Sequence, residues 1–149
     1  WFFGAAIVAS LVGMRPSVET VTSFMWVAID QLISQAAKMR YMFGGQANLP
    51  VVYRASMAYG GGSAAHHSDR SYPMFMNMPG IKIAVPANSS DAKGLLKTAI
   101  RDDDPVIIFE DVNLCAVSNA TSNLSNVHLG YSTNSKLVVK NHLIMCPLM

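Results

Sequence analysis

The chain has 149 residues, which is enough for one domain with a buried core. Its formal net charge is only +2 and its lysines and arginines are dispersed, so we expect no nucleic-acid partner. Hydrophobic residues make up 51% of the chain and charged residues 13%, which predicts a large apolar contact surface. The longest apolar run falls short of the roughly twenty residues that span a membrane, so we also expect no membrane segment.

Helical and strand patterns alternate along most of the chain. Apolar residues three and four apart predict a helix over residues 24–42, and short β-branched or apolar runs between turn residues predict strands. In chain order we predict a helix over 4–12, a strand over 18–22, a helix over 24–42, a strand over 49–54, a glycine-rich loop over 58–65, a short helix over 71–78, a strand over 81–85, a helix over about 91–101 capped within 88–90, and a strand over 106–109.

These strands are apolar on both faces, which is typical of a parallel sheet covered on both sides. The predicted fold class is therefore α/β, a mostly parallel sheet with helices on both faces. After Glu110 the composition changes, because residues 113–135 are rich in Asn, Ser and Thr and show no clear period. One more strand is predicted within 136–145. We expect a domain over residues 1–112 and a connector or disordered tail over residues 113–149.

The clearest chemical signal is the histidine pair His66 and His67, which follows the triple glycine of residues 60–62. An imidazole titrates near neutral pH, so a histidine in a loop at a strand end can transfer a proton or stabilise a substrate carboxylate. The alternative is a loop histidine that is held by backbone groups. The glycines carry no phosphate-loop lysine, and the chain contains no dinucleotide-binding fingerprint.

Three blocks resemble one known family. They are AIDQ at residues 28–31, HHSD at residues 66–69, and the long run PGIKIAVPANSSDAKGLLKTAIRDDDPVIIFE at residues 79–110. The chain resembles the beta subunit of the thiamine-diphosphate-dependent 2-oxo acid dehydrogenases, which include the pyruvate, branched-chain and acetoin enzymes. The resemblance covers roughly residues 4–112 and is dense from 28 to 110.

This resemblance implies a transketolase-like, pyrimidine-binding domain and an oxidoreductase role. Thiamine diphosphate would lie between alpha and beta subunits of a heterotetramer, with the diphosphate and magnesium held by the alpha subunit. The reaction would be oxidative decarboxylation, followed by acyl transfer to the lipoyl group of an acyltransferase core. The implied location is the cytoplasm of a bacterium, or the mitochondrial matrix or plastid of a eukaryote.

The resemblance also assigns two residues to the cofactor and substrate site. His67 takes the place of the histidine in the family's Gln-His-Ser-Gln block, which lines the active-site channel, and both flanking glutamines are replaced here. Phe24 takes the place of an aromatic residue that packs against the cofactor's aminopyrimidine ring. The segment from Glu19 to Phe24 is one residue shorter than the family pattern.

The acidic turn at residues 102–104 is the third candidate site. Carboxylates after a helix face the negative end of the helix dipole, which a cation would relieve. Family members hold a monovalent cation, typically potassium, at the matching turn, and hard oxygen ligands suit such an ion. The expected ligands are the carbonyls of Val51, Ala99 and Ile100 and the side chains of Asp102 and Asp104.

Two alternatives remain open. One is the matching domain of another thiamine-diphosphate enzyme, of the transketolase or deoxyxylulose-phosphate synthase type. The other is a non-catalytic interaction domain, favoured by the unusual tail. From the family's spacing we expect the activating glutamate about two residues before Trp1, and the family's carboxyl-terminal domain is not among these 149 residues.

Overall fold

The computed structural model describes residues 1–58 and 63–113 in full, and the backbone of two strands within 137–145. In chain order the elements are α1 (Phe2–Leu11), β1 (Ser17–Val21), a 3-10 helix (Thr22–Ala28), a π-helical segment (Gln31–Ala36), α2 (Ala37–Met42), β2 (Val52–Met57), a second 3-10 helix (Ala65–His67), α3 (Tyr72–Phe75), β3 (Lys82–Ala84), α4 (Ser89–Arg101), β4 (Val106–Asp111), β5 (Leu137–Val139) and β6 (His142–Met145).

The sheet has six strands in the order β1-β2-β4-β3-β6-β5. The strands β1, β2, β4 and β3 run parallel, and β6 pairs antiparallel with both β3 and β5. The prediction of a mostly parallel sheet is confirmed. In the tail, two short strands lie where one was predicted. The rest of the predicted connector over 113–149 lies outside the described residues.

Helices cover both faces of the parallel strands. On one face, Phe3 and Leu32 belong to a core cluster that includes Tyr53 of β2. On the other face, Leu95 of α4 packs in a cluster with Val52, the neighbour of Tyr53 in β2. Successive strand residues point to opposite faces, so a strand that is buried on both sides must be apolar throughout. The predicted helix-sheet-helix layering is therefore confirmed.

Helix α1 is apolar around most of its surface and carries no charged residue in its first or last turn. It ends where Gly13 adopts a φ of 90°, and the Gly13 and Met14 amides donate hydrogen bonds to the carbonyls of Ser10 and Ala9. This is the predicted end of the helix. Across the described residues, every helix is too short or too polar to cross a membrane.

The predicted helix over residues 24–42 is helical throughout, but the structure divides it into 3-10, π and α segments. At its start, the Thr22 hydroxyl donates a 2.9 Å hydrogen bond to the Ser56 carbonyl, a tertiary contact that competes with regular helix geometry. At the π segment's end, a Cβ on Gly80 would lie 1.7 Å from the Ala37 carbonyl oxygen. Only a glycine allows this close approach.

The second strand begins three residues later than predicted, at Val52 instead of Leu49. Pro50 has no amide hydrogen and cannot donate to a sheet ladder. The Val51 amide instead donates a 2.7 Å hydrogen bond to the Leu49 carbonyl, which makes a tight turn before the strand. Farther along, the Asn88 side chain accepts a 2.9 Å bond from the Asp91 amide, so the predicted cap of α4 is confirmed.

Candidate functional site

Phe24 and His67 both lie beyond the carboxyl ends of neighbouring parallel strands. Phe24 is in the 3-10 helix that follows β1, and His67 ends the 3-10 helix in the connection after β2. Strands β1 and β2 pair directly, from Ser17 opposite Val52 to Val21 opposite Ser56. Open α/β sheets bind their ligands at this edge, where strand ends aim successive connections at one place.

The two predicted residues are in contact. The rings of Phe24 and His67 have centroids 5.3 Å apart and planes 81° apart, so one ring meets the other edge-on. Phe24 remains 47% exposed, whereas His67 is half-buried and His66 is exposed. An exposed aromatic ring with a half-buried imidazole at its side suits a flat heteroaromatic ligand that carries polar atoms on its edge.

The loop that carries His67 is held in a strained conformation. Ala64 has φ 60° and ψ −176°, a region that residues other than glycine enter at a cost of about 1–3 kcal/mol. Its carbonyl accepts a 2.6 Å hydrogen bond from the Ser68 hydroxyl and a 3.4 Å bond from the His67 amide. The triple glycine that precedes this turn lies outside the described residues.

Trp26 and Asp69 form a contact that the sequence patterns did not predict. The Trp26 indole Nε1–H donates a 3.2 Å hydrogen bond to the Asp69 carboxylate. The Trp26 ring stacks on Phe75 with centroids 6.2 Å apart, and Phe75 is fully buried beside Phe109. Asp69 stands where the family pattern has a glutamine, and that replacement was the available signal. Nothing in the sequence pointed to Trp26.

The acidic turn lies at the opposite end of the sheet, before the amino end of β4. Lys82, the first residue of β3, is 6% exposed, and its ammonium lies 2.7 Å from both Asp102 carboxylate oxygens and 3.1 Å from an Asp104 oxygen. Arg40 contacts Asp104 at 2.7 Å. Arg15 contacts the Asp103 carboxylate at 2.6 Å. Three cations of the chain itself therefore neutralise the three carboxylates.

The five groups expected to bind potassium all have partners within the chain. A carbonyl oxygen can accept two hydrogen bonds or ligands, so its first partner does not exclude a second. The Val51 carbonyl accepts from the Val106 amide at 3.0 Å, the Ala99 carbonyl from the Asp102 amide at 3.2 Å, the Ile100 carbonyl from Arg15 at 3.1 Å, and the carboxylates of Asp102 and Asp104 from Lys82 and Arg40. Potassium at this turn stays a prediction.

Over residues 1–58 and 63–113, no group of three His, Cys, Asp or Glu side chains is arranged to hold a metal ion. The carbonyls of the acidic turn are hard ligands that fit a monovalent cation, whereas its carboxylates already face lysine and arginine. A cation at this turn would therefore be held mainly by backbone oxygens.

Sequence comparison gives a consistent family. The family described as "Transketolase, pyrimidine binding domain" matches residues 2–116, more than half of the chain. The acetoin:2,6-dichlorophenolindophenol oxidoreductase subunit beta of Cupriavidus necator is 51% identical over 114 residues, which are 76% of this chain and 34% of that protein. The human mitochondrial pyruvate dehydrogenase E1 component subunit beta is 44% identical over 111 residues, 74% of this chain and 31% of that protein.

A third relative, the 2-oxoisovalerate dehydrogenase subunit beta of Bacillus subtilis, is 46% identical over 110 residues, 72% of this chain and 33% of that protein. The chain thus spans about a third of the length of these relatives. They include bacterial and mitochondrial proteins.

Solved structures show the same fold. A split-gene transketolase, described as an inactive beta4 tetramer, matches with a TM-score of 0.59 at 24% identity and covers 72% of this chain and 33% of its own. A transketolase variant from Pichia stipitis matches with a TM-score of 0.55 at 19% identity, over 66% of this chain and 14% of its own. With its parallel sheet and the family match over residues 2–116, the chain belongs to the transketolase pyrimidine-binding domain family.

Proposed function

We propose that this chain forms the pyrimidine side of a thiamine diphosphate site in the beta subunit of a 2-oxo acid or acetoin dehydrogenase. The observation that supports the proposal most directly is the contact between the exposed Phe24 ring and the His67 imidazole, at the ligand-binding edge of the sheet. The 44–51% identities to the pyruvate and acetoin beta subunits support the same reaction class.

The chemistry of the side chains fits this role. Phe24 offers an apolar face against which the aminopyrimidine ring packs, so the residue orients the cofactor without bonding to it. His67 faces the same place with an imidazole that can donate a hydrogen bond to developing negative charge on a 2-oxo substrate or carry a proton. When bound, thiamine diphosphate supplies the carbon nucleophile for decarboxylation, and the protein orients and shields the reactants.

The remaining parts of the enzyme are also proposals. We propose an alpha subunit that holds the diphosphate and magnesium, a heterotetramer of two alpha and two beta subunits, and delivery of the acyl group to a lipoyl acyltransferase core. The proposed domain extends over residues 1–112, followed by a connector. The proposed location is the bacterial cytoplasm or, in a eukaryote, the mitochondrial matrix or plastid. We further propose potassium at the acidic turn, on the backbone carbonyls that hard ligand chemistry favours.

A chimeric enzyme tests the proposal. Residues 2–113 of this chain replace the matching segment of the Cupriavidus necator acetoin enzyme's beta subunit, which is purified with its alpha subunit and assayed on acetoin, pyruvate and 2-oxoisovalerate. We expect turnover of at least one substrate. His67→Ala should lower kcat at least about tenfold, the low end for a lost proton donor or charge-stabilising contact.

His66→Gln is the matched control, because it changes the neighbouring exposed histidine to the family's residue and should keep most activity. Circular dichroism on each variant separates misfolding from a catalytic loss. An assembled chimera that binds the cofactor but turns over none of the substrates would favour the non-catalytic interaction domain. Equal activity of His67→Ala and the parent would remove His67 from the mechanism.

A further inference from the structure

We propose that the hydrogen bond between Trp26 and Asp69 is a positioning contact that holds the His67 imidazole against Phe24 with the two rings nearly perpendicular. The inference rests on the proposed function, because it assigns a role to two residues beside that site. Trp26 and Asp69 would act through His67 and Phe24 and would not touch the substrate themselves. In this chain they connect the two segments that carry the site.

Two contacts join the two segments that carry the site. Trp26 lies two residues after Phe24 on the same 3-10 helix, and Asp69 lies two residues after His67 in the same loop. The 3.2 Å bond from the indole Nε1–H to the Asp69 carboxylate therefore closes a small ring of contacts with the Phe24–His67 pair. Two contacts between two short segments fix their separation and their relative rotation, whereas one contact leaves the rotation free.

Trp26 is a firm anchor because it is attached to the core. Its ring lies nearly parallel to that of Phe75, at an interplanar angle of 21°, and Phe75 is 0% exposed. Phe75 in turn packs against buried Phe109 of β4, with ring centroids 6.0 Å apart. The packing of Phe109, Phe75 and Trp26 thus fixes the Trp26 N–H relative to the sheet, and the hydrogen bond from this N–H fixes Asp69.

The hydrogen bonds within the loop do not fix the position of His67 relative to Phe24. The Ser68 hydroxyl and the His67 amide both bond to the Ala64 carbonyl, so these contacts shape the turn but leave its distance from Phe24 open. The bond to Asp69 crosses from one segment to the other. Its acceptor is a carboxylate, which makes stronger hydrogen bonds than a neutral acceptor, although partial exposure to water weakens it.

The contact is measured by nuclear magnetic resonance on the 149-residue chain. The chain has two tryptophans, and Trp1 is 98% exposed, so Trp1→Phe leaves the Trp26 indole N–H as a single resonance. In that background, Asp69→Ala should move the indole resonance upfield. The same change should reduce the ring-current shift that Phe24 imposes on the His67 ring protons. Asp69→Asn keeps an acceptor oxygen and should preserve both signals.

The kinetic measurement uses the chimeric enzyme described above. Asp69→Ala should lower kcat about tenfold, the low end for a lost hydrogen bond to a charged group, and leave the KM for substrate nearly unchanged. Trp26→Phe keeps a ring to stack on Phe75 and should give the same loss. The double variant should lose no more than either single variant, because both break one contact. Asp69→Asn should restore most of the rate.

The two measurements separate this inference from the proposed function. A His67 signal that does not respond to Asp69→Ala overturns the positioning role, whatever the chimera does. Additive losses in the double variant, or a rate in Asp69→Asn as low as in Asp69→Ala, overturn it as well. If the chimera and all its variants are inactive, the proposed function is contradicted. The resonance shifts still test whether the Trp26–Asp69 bond positions His67.

Discussion

The Tyr53 side chain is fully buried in the core, where its ring stacks on Phe3 with centroids 5.3 Å apart. Within the described part of the chain, its hydroxyl is one of four buried side-chain groups that lack a hydrogen-bond partner. Burial raises the pKa of the Tyr53 phenol above its ordinary value of 10.0, because a phenolate would be desolvated there. The ring stabilises the fold, and the hydroxyl opposes it.

We therefore expect Tyr53→Phe to leave the free energy of unfolding unchanged or to raise it by about 1 kcal/mol, since it removes an unsatisfied buried polar group. The Tyr53 phenol ionises more readily in the unfolded chain, so the free energy of unfolding of the parent falls as the pH rises above 10.0. The free energy of unfolding of Tyr53→Phe should not show this fall. Urea unfolding at neutral and alkaline pH measures both effects. Tyr41→Phe, at an exposed tyrosine, is the control. A loss above about 1 kcal/mol would show that the hydroxyl has a partner.

At the scale of single residues, the sequence motifs predicted Phe24 and His67, and the structure places their rings in contact. The motifs did not predict Trp26 and Asp69, because their hydrogen bond joins two segments 43 residues apart. A pattern of apolar spacing describes one element at a time and carries no information on such cross-contacts. Four of the five ligands expected for potassium lie between Ala99 and Asp104, but the cations that face this turn come from three distant segments.

At the scale of elements, the turn between α4 and β4 is defined by its ion pairs. Lys82 is the most buried of the cations, and a buried ammonium requires close carboxylates. The Asp104 amide also donates a 3.0 Å hydrogen bond to the Asp102 carboxylate, which orders the turn. The arrangement satisfies the acidic groups from within the chain, so an added ion would have to share oxygens that already accept hydrogen bonds.

If potassium binds these carbonyls, the midpoint of thermal unfolding of the chimeric enzyme should be higher in potassium than in tetramethylammonium at equal ionic strength. The free energy of unfolding should rise by about 1 kcal/mol when the potassium concentration is roughly five times its dissociation constant, because the ion binds only the native turn. Asp102→Ala should abolish the difference, because it removes an expected ligand and leaves the buried Lys82 ammonium beside the ion without its main counter-charge. Asp103→Ala is the control, since that carboxylate faces Arg15 and is not an expected ligand.

Identical unfolding in the two salts would mean that Lys82, Arg40 and Arg15 neutralise the turn without an added ion. A potassium effect that survives Asp102→Ala would place the ion elsewhere in the assembly.

The elements themselves were predicted unevenly, and the errors have physical causes. Helix α4 was predicted closely because its capping residue and apolar spacing are local features. The stretch from Phe24 to Met42 was predicted as a helix because its apolar spacing is helical, and it is helical throughout. Its 3-10 and π segments depend on tertiary contacts at Ser56 and Gly80, which the local pattern does not contain.

At the scale of the whole molecule, large apolar side chains remain exposed on the face that carries α1 and the segments after β1. Val8 of α1 is 63% exposed, and Val27, beside the site, is 90% exposed. Helix α4, on the opposite face, is amphipathic and presents polar residues outward. The apolar surface is thus concentrated on one side, as expected for a subunit of an assembly.

We predict that the isolated chain associates beyond its monomer mass of 16.1 kDa, which light scattering measures. Val8→Lys should weaken association about tenfold, the effect of losing roughly 1.5 kcal/mol of apolar burial. Lys97→Glu, on the polar surface of α4, is the control and should leave association unchanged. A chain that stays monomeric at high concentration without binding an apolar dye would contradict the prediction.

The ion pairs at the acidic turn also bear on how the chain is made. They join Arg15 to Asp103 across 88 residues, Arg40 to Asp104 across 64 and Lys82 to Asp102 across 20. During synthesis the three cations emerge before any of their acidic partners, so the amino-terminal end of the sheet cannot be closed until Asp104 has been added. Contacts of such long range are costly in loop entropy and slow to form. We therefore expect the turn to form late in folding, and a nascent chain that stalls before it should expose a lysine that the finished protein buries.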